Sequence, residues 1–356
     1  MQTRDIIERF KSAQDSLVIQ QSDFSLAAIY DMVTNDAIDI APHYQRRDRW
    51  SPEKQSALIE SFLLNVPVPP VYLSEDEYGQ YSVIDGKQRL TAIRDFLKGN
   101  LTLRSLKKFP ELEGAKFVDL PFQLQNALTV RPYIRVTTLL KQSNENLKYE
   151  VFLRLNTGGD TLKPQEIRNV AYSGRFNDLL FELSESPFLK DRLKITSDKS
   201  PSFRSMEDLE HVLRFFTIEE RWQNIGNVLS EEMDDFMALH RTSATDELRR
   251  KFLRSLDACH DIWGQHAFHK PTDNNSWREQ FISPLYDAQM IGASILSDKE
   301  IQRVAHQKVK VLQATRDLFE KDAAFVKSVT QSTNNPSAVK RRVVAIRDML
   351  KIIVAR

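Results

Sequence analysis

Cysteine is almost absent from this sequence: Cys259 is the single one among 356 residues. One thiol excludes an intramolecular disulfide and any zinc site built from several cysteines, and it suits a reducing compartment. Long apolar runs are missing too. No stretch of about 18 apolar residues occurs, and the opening MQTRDIIERFK interleaves charge with apolar residues where a secretory signal needs a continuous apolar core. The expectation is a cytoplasmic protein with no membrane partner. Nor does one sign of charge dominate, since 50 Lys and Arg stand against 49 Asp and Glu, a formal net charge of +1. No global field announces a polyanionic partner. There is no repeat of fixed period, no low-complexity tract and no GxxxxGK[ST] loop, so any nucleotide binding is not of the P-loop kind. His260, His266 and His269 lie near Cys259, but neither a second cysteine nor a carboxylate pair completes zinc-like spacing.

What is present is an ordinary globular mixture, 41% hydrophobic and 28% charged, long enough for two domains. The neutral total hides a polar molecule. Residues 201–250 hold 6 basic and 11 acidic side chains, whereas residues 301–356 hold 12 and 4. The basic C-terminal segment, with Lys340, Arg341 and Arg342 before an apolar stripe of Val343, Ile346, Leu350 and Ile353, reads either as a solvated helix face or as a contact to DNA phosphates.

Up to about residue 140, short β-like runs alternate with helical patterns: Leu17–Gln20, Ala37–Ile40, Val71–Leu73, Tyr81–Ile84 and Tyr133–Thr137 are rich in apolar, β-branched or aromatic residues. Ser51, Pro52 and Glu53 carry the chemistry of a helix start, and Leu58, Ile59, Phe62 and Leu63 follow at helical spacing until Asn65 and Pro67. Beyond Asn144 the spacing of apolar residues is helical, with linkers expected at Ser197–Ser202, Lys270–Ser276 and Thr330–Ser337. The fold class is therefore α+β, an N-terminal α/β domain followed by an all-α domain.

Three segments carry candidate chemistry. The first, YSVIDGKQRLTAIRDF, predicts a strand ending at Asp85, a turn at Gly86 and a helix that opens with Lys87, Gln88 and Arg89. First-turn backbone N–H groups and the helix dipole favour an anion, so cations there run against the dipole by a few tenths up to about 1 kcal/mol. Either a bound phosphate removes that cost, with Arg89 supplying charge rather than core, or the cations pair with acids such as Asp85. The second, PHYQRRDRW, packs Tyr44, Gln45, Arg46, Arg47, Arg49 and Trp50 into one loop, where guanidinium groups can grip phosphate and aromatic faces can stack a base. As a lone signal it equally describes a loop plugged into the core by Trp50. The third, VFLRLNTGGD, sets Arg154 and Asn156 just before Thr157, Gly158 and Gly159, a turn able to close over a ligand, with Leu162, Ile167 and Val170 resuming a helix.

In order and interval, PHYQRRDRWSPEKQSALIESFLLNVPVPPVYL, VIDGKQRLTAI and FLRLNTGGDTLKPQEIRN together resemble the N-terminal domain family of GmrSD-type modification-dependent restriction enzymes, over roughly residues 20–175. The resemblance implies a ParB/sulfiredoxin-like fold for residues 1–175, with residues 176–356 as the helical domain. The family's Asp-Gly-Gln-Gln-Arg signature is matched by Asp85, Gly86, Lys87, Gln88 and Arg89, with Lys87 replacing a glutamine; its Tyr-Gln-Arg element is matched by Tyr44, Gln45 and Arg46, and its Arg-x-Asn element by Arg154 and Asn156. It further implies a nucleoside triphosphate as ligand, catalytic roles for Asp85 and Arg89, and phosphate or nucleotide contacts from the others; phosphoryl chemistry commonly adds a divalent cation, for which Asp85 is the one evident ligand in the sequence. PSFRSMEDLEHVLRFF and the stretch around Ala267 and Phe268 resemble the helical continuation of single-domain members. The His-Asn-His nuclease of full-length members has no counterpart after residue 175. The reading that follows is a nucleotide-binding, NTP-hydrolysing regulatory module of a prokaryotic anti-phage or restriction system, with DNA, a separate nuclease subunit or a second copy of itself as partners. A ParB-like DNA-binding module without turnover and a ParB-like nuclease are the competing readings.

Overall fold

A computed structural model describes residues 7, 10–11, 17–40, 50–143, 148, 151, 154–155, 163–272 and 276–355, the Val170 side chain excepted. The chain divides into two compact units, Met1–Ala171 and Tyr172–Arg356. Among the described residues no helix is long and apolar enough to cross a membrane.

In the N-terminal unit the described elements run β1 (Ile19–Ser25), α1 (Leu26–Thr34), β2 (Ile38–Asp39), α2 (Pro52–Leu63), β3 (Val71–Glu77), β4 (Gln80–Asp85), α3 (Lys87–Leu97), α4 (Phe122–Val130), β5 (Tyr133–Leu139) and α5 (Pro164–Ala171). The strands form one mixed sheet in the order β1-β5-β3-β4-β2, with β5 parallel to β3 and β2 parallel to β4. Each strand coincides with a β-like run of the sequence, but pairing moves the ends. The run Leu17–Gln20 becomes a strand that starts at Ile19 and continues to Ser25 because β5 supplies partners along its length, while Ala37–Ile40 shrinks to the two residues that pair with Tyr81 and Ser82.

The period of two along a strand decides which core each side chain joins. Val71, Leu73, Val83, Ile134 and Val136 face one core, closed by Leu58, Ile59 and Phe62 of α2 and Leu90, Ile93 and Phe96 of α3. Their neighbours Tyr72, Ile84 and Leu139 face a second cluster, which takes in Val151, Leu155 and Ile167. Ser51 caps α2 by accepting from the Lys54 N–H at 3.4 Å, and Pro52 opens it, as the sequence predicts.

The second unit comprises α6 (Arg175–Ser184), α7 (Pro187–Arg192), α8 (Pro201–Arg204), α9 (Glu207–Arg221), α10 (Leu229–His240), α11 (Asp246–Trp263), β6 (His269–Pro271), β7 (Trp277–Phe281), α12 (Ser283–Ser294), α13 (Asp298–His306), α14 (Lys308–Lys321), α15 (Ala323–Thr330) and α16 (Pro336–Val354). Helix α12 is buried on every side from Leu285 to Ala293, which makes it the centre of this unit. Two expectations are corrected here. The linker expected at Lys270–Ser276 begins inside the antiparallel hairpin of β6 and β7, closed by the Thr272 N–H on the Ser276 carbonyl at 3.0 Å. Ala267 and Phe268 are not helical: they lead into β6, with Phe268 at φ 65° and fully buried. A three-residue strand and a half-exposed one give no periodicity to read.

Candidate functional site

Strand β4 delivers Asp85 to the edge of the turn because Val83 and Ile84 before it are buried on opposite faces of the sheet. The next residue, Gly86, adopts φ 102°, a left-handed conformation that side chains resist, and a Cβ there would stand 2.7 Å from Val71 Cγ2. Glycine is thus dictated twice, by backbone and by space. Helix α3 follows at once, its first turn closed by the Leu90 N–H on the Gly86 carbonyl at 2.9 Å. It has neither a side-chain cap nor an acid in its first turn.

Arg89 does not extend into solvent from this helix start. Its Nη2 donates to Asp85 Oδ2 at 2.6 Å and to the Pro70 carbonyl at 3.2 Å, and its side chain is 12% exposed against 40% for Asp85. The guanidinium therefore fastens the end of β4 to the chain entering β3. This corrects the expectation that Arg89 contributes charge rather than core. It also answers the dipole argument, since the Asp85 carboxylate supplies negative charge where the first turn favours it. Arg89 Nε is buried with no hydrogen-bond partner among the described residues.

Lys87 and Gln88 are half-buried beside it. Gln88 Oε1 accepts from the Trp50 N–H at 3.1 Å, and Gln55 Nε2 donates to the Trp50 carbonyl at 3.0 Å. Trp50, packed on the edge of the core and covered by Lys54 Nζ at 5.1 Å, is thus tied at both backbone polar groups. This holds Trp50, where the described chain resumes, next to the first turn of α3. Tyr44, Gln45 and Arg46 themselves lie outside the described residues, as do Asn156 and the glycines after it.

The third segment reaches the other face of the same strand. Val151 and Leu155 pack with Ile84, Tyr72, Leu139 and Ile167, and Tyr72 is the register partner of Asp85. Arg154 is exposed. Helix α5 carries residues the sequence analysis did not single out: Gln165, Glu166, Arg168 and Asn169 are all 3% exposed or less. Gln165 Nε2 donates to Asn169 Oδ1 at 2.9 Å, and Glu166 Oε2 accepts from the Lys163 N–H at 2.6 Å. Gln165 Oε1 is buried with no hydrogen-bond partner among the described residues. The signal for them was the composition of the helix, rich in Gln, Glu, Arg and Asn and so an unusual one to bury.

The basic cluster of the second unit is corrected in part. Arg342 is fully buried in α16, where Nη2 lies 2.6 Å from Asp287 Oδ2 and Nη1 donates to the Thr333 and Ser328 carbonyls. It is a core residue and reaches no phosphate. Lys340 and Arg341 lie within the helix rather than before it; Lys340 Nζ donates to the Gln223 carbonyl at 3.1 Å, and Arg341 is paired with Asp322.

The N-terminal unit is an α+β domain whose strand-glycine-helix junction, loop return and second-face helix all meet at β4. Residues 29–173 match the family model described as GmrSD restriction endonuclease, N-terminal domain, the family that the three segments resemble. Comparison with curated proteins gave no match, and comparison with solved structures gave none.

Proposed function

We propose that the N-terminal unit binds a nucleoside triphosphate at the β4–α3 junction and that this binding, followed by hydrolysis, regulates a restriction or anti-phage activity on DNA. The observation that carries the reading is convergence. The Gly86 turn, the loop return at Trp50 and the Leu155 segment are all tied to one strand, β4, or to the helix that follows it. Two buried polar atoms without partners among the described residues, Arg89 Nε and Gln165 Oε1, suit a polar ligand that both accepts and donates.

In this reading Lys87, with Arg46 and Arg154 from the two other segments, holds the phosphates, Gln45, Gln88 and Asn156 supply amide hydrogen bonds, and Tyr44 offers a ring face to the base. Asp85, oriented by Arg89, arranges the attacking water. Among the described residues no three His, Cys, Asp or Glu side chains gather to hold a metal. A nuclease supplied by a separate subunit completes a cutting system, and a ParB/sulfiredoxin-like architecture would place this junction on a surface suited to DNA. The competing reading, a DNA-binding module without turnover, draws support from the Asp85–Arg89 pair, which already matches a charge that hydrolysis would otherwise employ.

The experiment is a panel of nucleoside triphosphates titrated into the full chain, followed by phosphate release with and without DNA, for the native sequence and Asp85→Asn. Binding with release that Asp85→Asn abolishes is the expected result. DNA binding with no nucleotide affinity establishes the competing reading and removes this one.

A further inference from the structure

The helical unit holds a cavity of about 670 Å³ that lies wholly outside the family-matched segment, bounded by the end of α7, the β6–β7 hairpin and α14. Its walls are built by fixed cations. The Arg192 guanidinium donates to Asp191 Oδ2 at 2.5 Å and to the Gln265 carbonyl, and it lies 5.6 Å from the Phe188 ring. Elsewhere in the wall, Trp277 is stacked by His266, with centroids 4.9 Å apart and planes 16° apart, and is covered by Arg316 at 4.8 Å. Arg316 Nη1 also donates to the Ser276 carbonyl at 3.3 Å. Lys194, exposed at φ 56°, adds a third cation, and His269 is buried in the lining.

Among the described lining residues Asp191 and Glu279 stand against Arg192, Lys194 and Arg316. Both histidines register burial and the neighbouring cations. Burial first, then Arg316, Lys308 and Arg192, holds His266 below the ordinary imidazole range. His269 is lowered by burial, Arg192, His266 and Lys194, with Glu279 opposing them. Arg316, stacked on Trp277 and bonded to the Ser276 carbonyl, has little rotamer freedom left to lose, so an arriving anion meets one preorganised partner there. The volume is far larger than one tetrahedral anion needs, and Leu312 gives it an apolar wall. Glu279 adds an acceptor that rewards a hydrogen-bond donor on the ligand's body.

We propose that this cavity is a binding site for a small phosphorylated molecule of nucleoside-monophosphate size, its phosphate held by Lys194, Arg316 and His266 and its polar body facing Glu279. The site shares no residue with the β4–α3 junction. A bound phosphate opposes the part of each depression that comes from the neighbouring cations, so both imidazoles take up protons more readily when it is present.

The test is calorimetric titration of the full chain with inorganic phosphate, ribose 5-phosphate and the nucleoside 5′-monophosphates, beside NMR titration of the histidine Cε1–H signals. The expected result is saturable binding by at least one organic phosphate, tighter than inorganic phosphate, with His266 and His269 titrating at higher pH when it is bound. Lys194→Gln, a change at an exposed position, should weaken binding about fivefold to tenfold, and Arg316→Gln more than tenfold, since hydrogen bonds to charged groups are the strong ones. Preference for inorganic phosphate alone overturns the assigned ligand class. Absence of saturation up to about 10 mM, or affinity unchanged in both variants, overturns the site.

Discussion

At Gly86 a single substitution tests the geometry of the junction. Alanine there must hold φ 102° and place a methyl group 2.7 Å from Val71 Cγ2. The left-handed backbone costs about 1–2 kcal/mol and the contact adds to it, so Gly86→Ala should destabilise the N-terminal unit by at least about 2 kcal/mol. Hydrogen exchange at the β4 amides measures this, and protection within about 0.5 kcal/mol of the native protein would contradict it. Arg89 was legible as a basic residue in a first turn, and of the two readings the sequence left open the structure shows the pairing with Asp85. The i, i+4 relation to Asp85 spans a turn, and the left-handed glycine between them sets the path on which the two side chains meet. Arg89→Ala removes hydrogen bonds to Asp85 and to the Pro70 carbonyl and should cost about 1.5–3 kcal/mol of stability. Asp85→Asn keeps an acceptor and should cost less. The ratio of these two losses, read from urea denaturation, separates a structural arginine from one that serves only a ligand, because the second kind would leave stability untouched.

Among elements, helices announced their faces more reliably than strands announced their ends. In α16 the stripe Val343, Ile346, Leu350 and Ile353 is buried as the spacing predicts. The same spacing held a warning about Arg342, which follows Val339 by three positions and precedes Ile346 by four, and so falls on the apolar side; charge type alone suggested solvent. For DNA binding the consequence is specific. Only Lys340 and Arg341 of the cluster remain to touch phosphate, so neutralising both should lower the slope of log affinity against log salt by at most about 2 units, at roughly 0.9 per contact. A larger change from these two, or an Arg342→Gln protein that stays fully stable while losing affinity, would restore the cluster as a unit. The hairpin β6–β7 and the burial of the polar residues on α5, a helix the sequence did predict, were not legible for opposite reasons. The first is too short for a period, and the second has a pattern that a solvated helix shares.

At the scale of the helical unit as a whole, part of the sequence's opposed charge is folded inward. Arg214 of α9, Asp287 of α12 and Arg342 of α16 meet in the interior, with Arg214 bidentate on Asp287 at 3.0 and 2.6 Å and Arg342 sharing Oδ2. Asp287 stands 73 positions from Arg214 and 55 from Arg342, so nothing local in the sequence links them. Burial alone would raise the Asp287 carboxyl, but Arg214 and then Arg342 outweigh it and hold the group below the usual carboxylate range. His211 is buried beside this cluster, its Nδ1 donating to the Glu207 carbonyl at 2.6 Å and its Nε2 accepting from the Ser283 hydroxyl at 2.9 Å. Burial first, then Arg214, holds its imidazole below the ordinary range, with Glu210, the Glu207 carbonyl and Asp287 opposing. The two groups therefore lose their contributions in different windows of pH. A histidine lowered on folding leaves the unfolded chain binding more protons, so stability falls as pH drops below about 6.5. The Asp287 contribution persists there and is lost only below about 3.9, as pH falls through its folded value. Urea denaturation of the full chain between pH 7.5 and 5, followed by tryptophan fluorescence, should show stability falling with acidification. His266 and His269 are lowered as well and add to the same slope. His211→Gln, which keeps a hydrogen-bonding side chain and cannot titrate, should flatten the slope by up to about 1.4 kcal/mol per pH unit, the value for one proton. An unchanged slope in a folded His211→Gln protein would show that this imidazole does not couple to folding. Asp287→Asn should instead lower stability by about 3–5 kcal/mol at pH 7, because it removes the carboxylate shared by two buried guanidinium groups and leaves, among the described residues, only Glu210, 3.9 Å from Arg214, opposite them. A loss below about 1 kcal/mol would mean that water or carbonyl oxygens already satisfy the arginines and that the carboxylate is not what holds α9, α12 and α16 together.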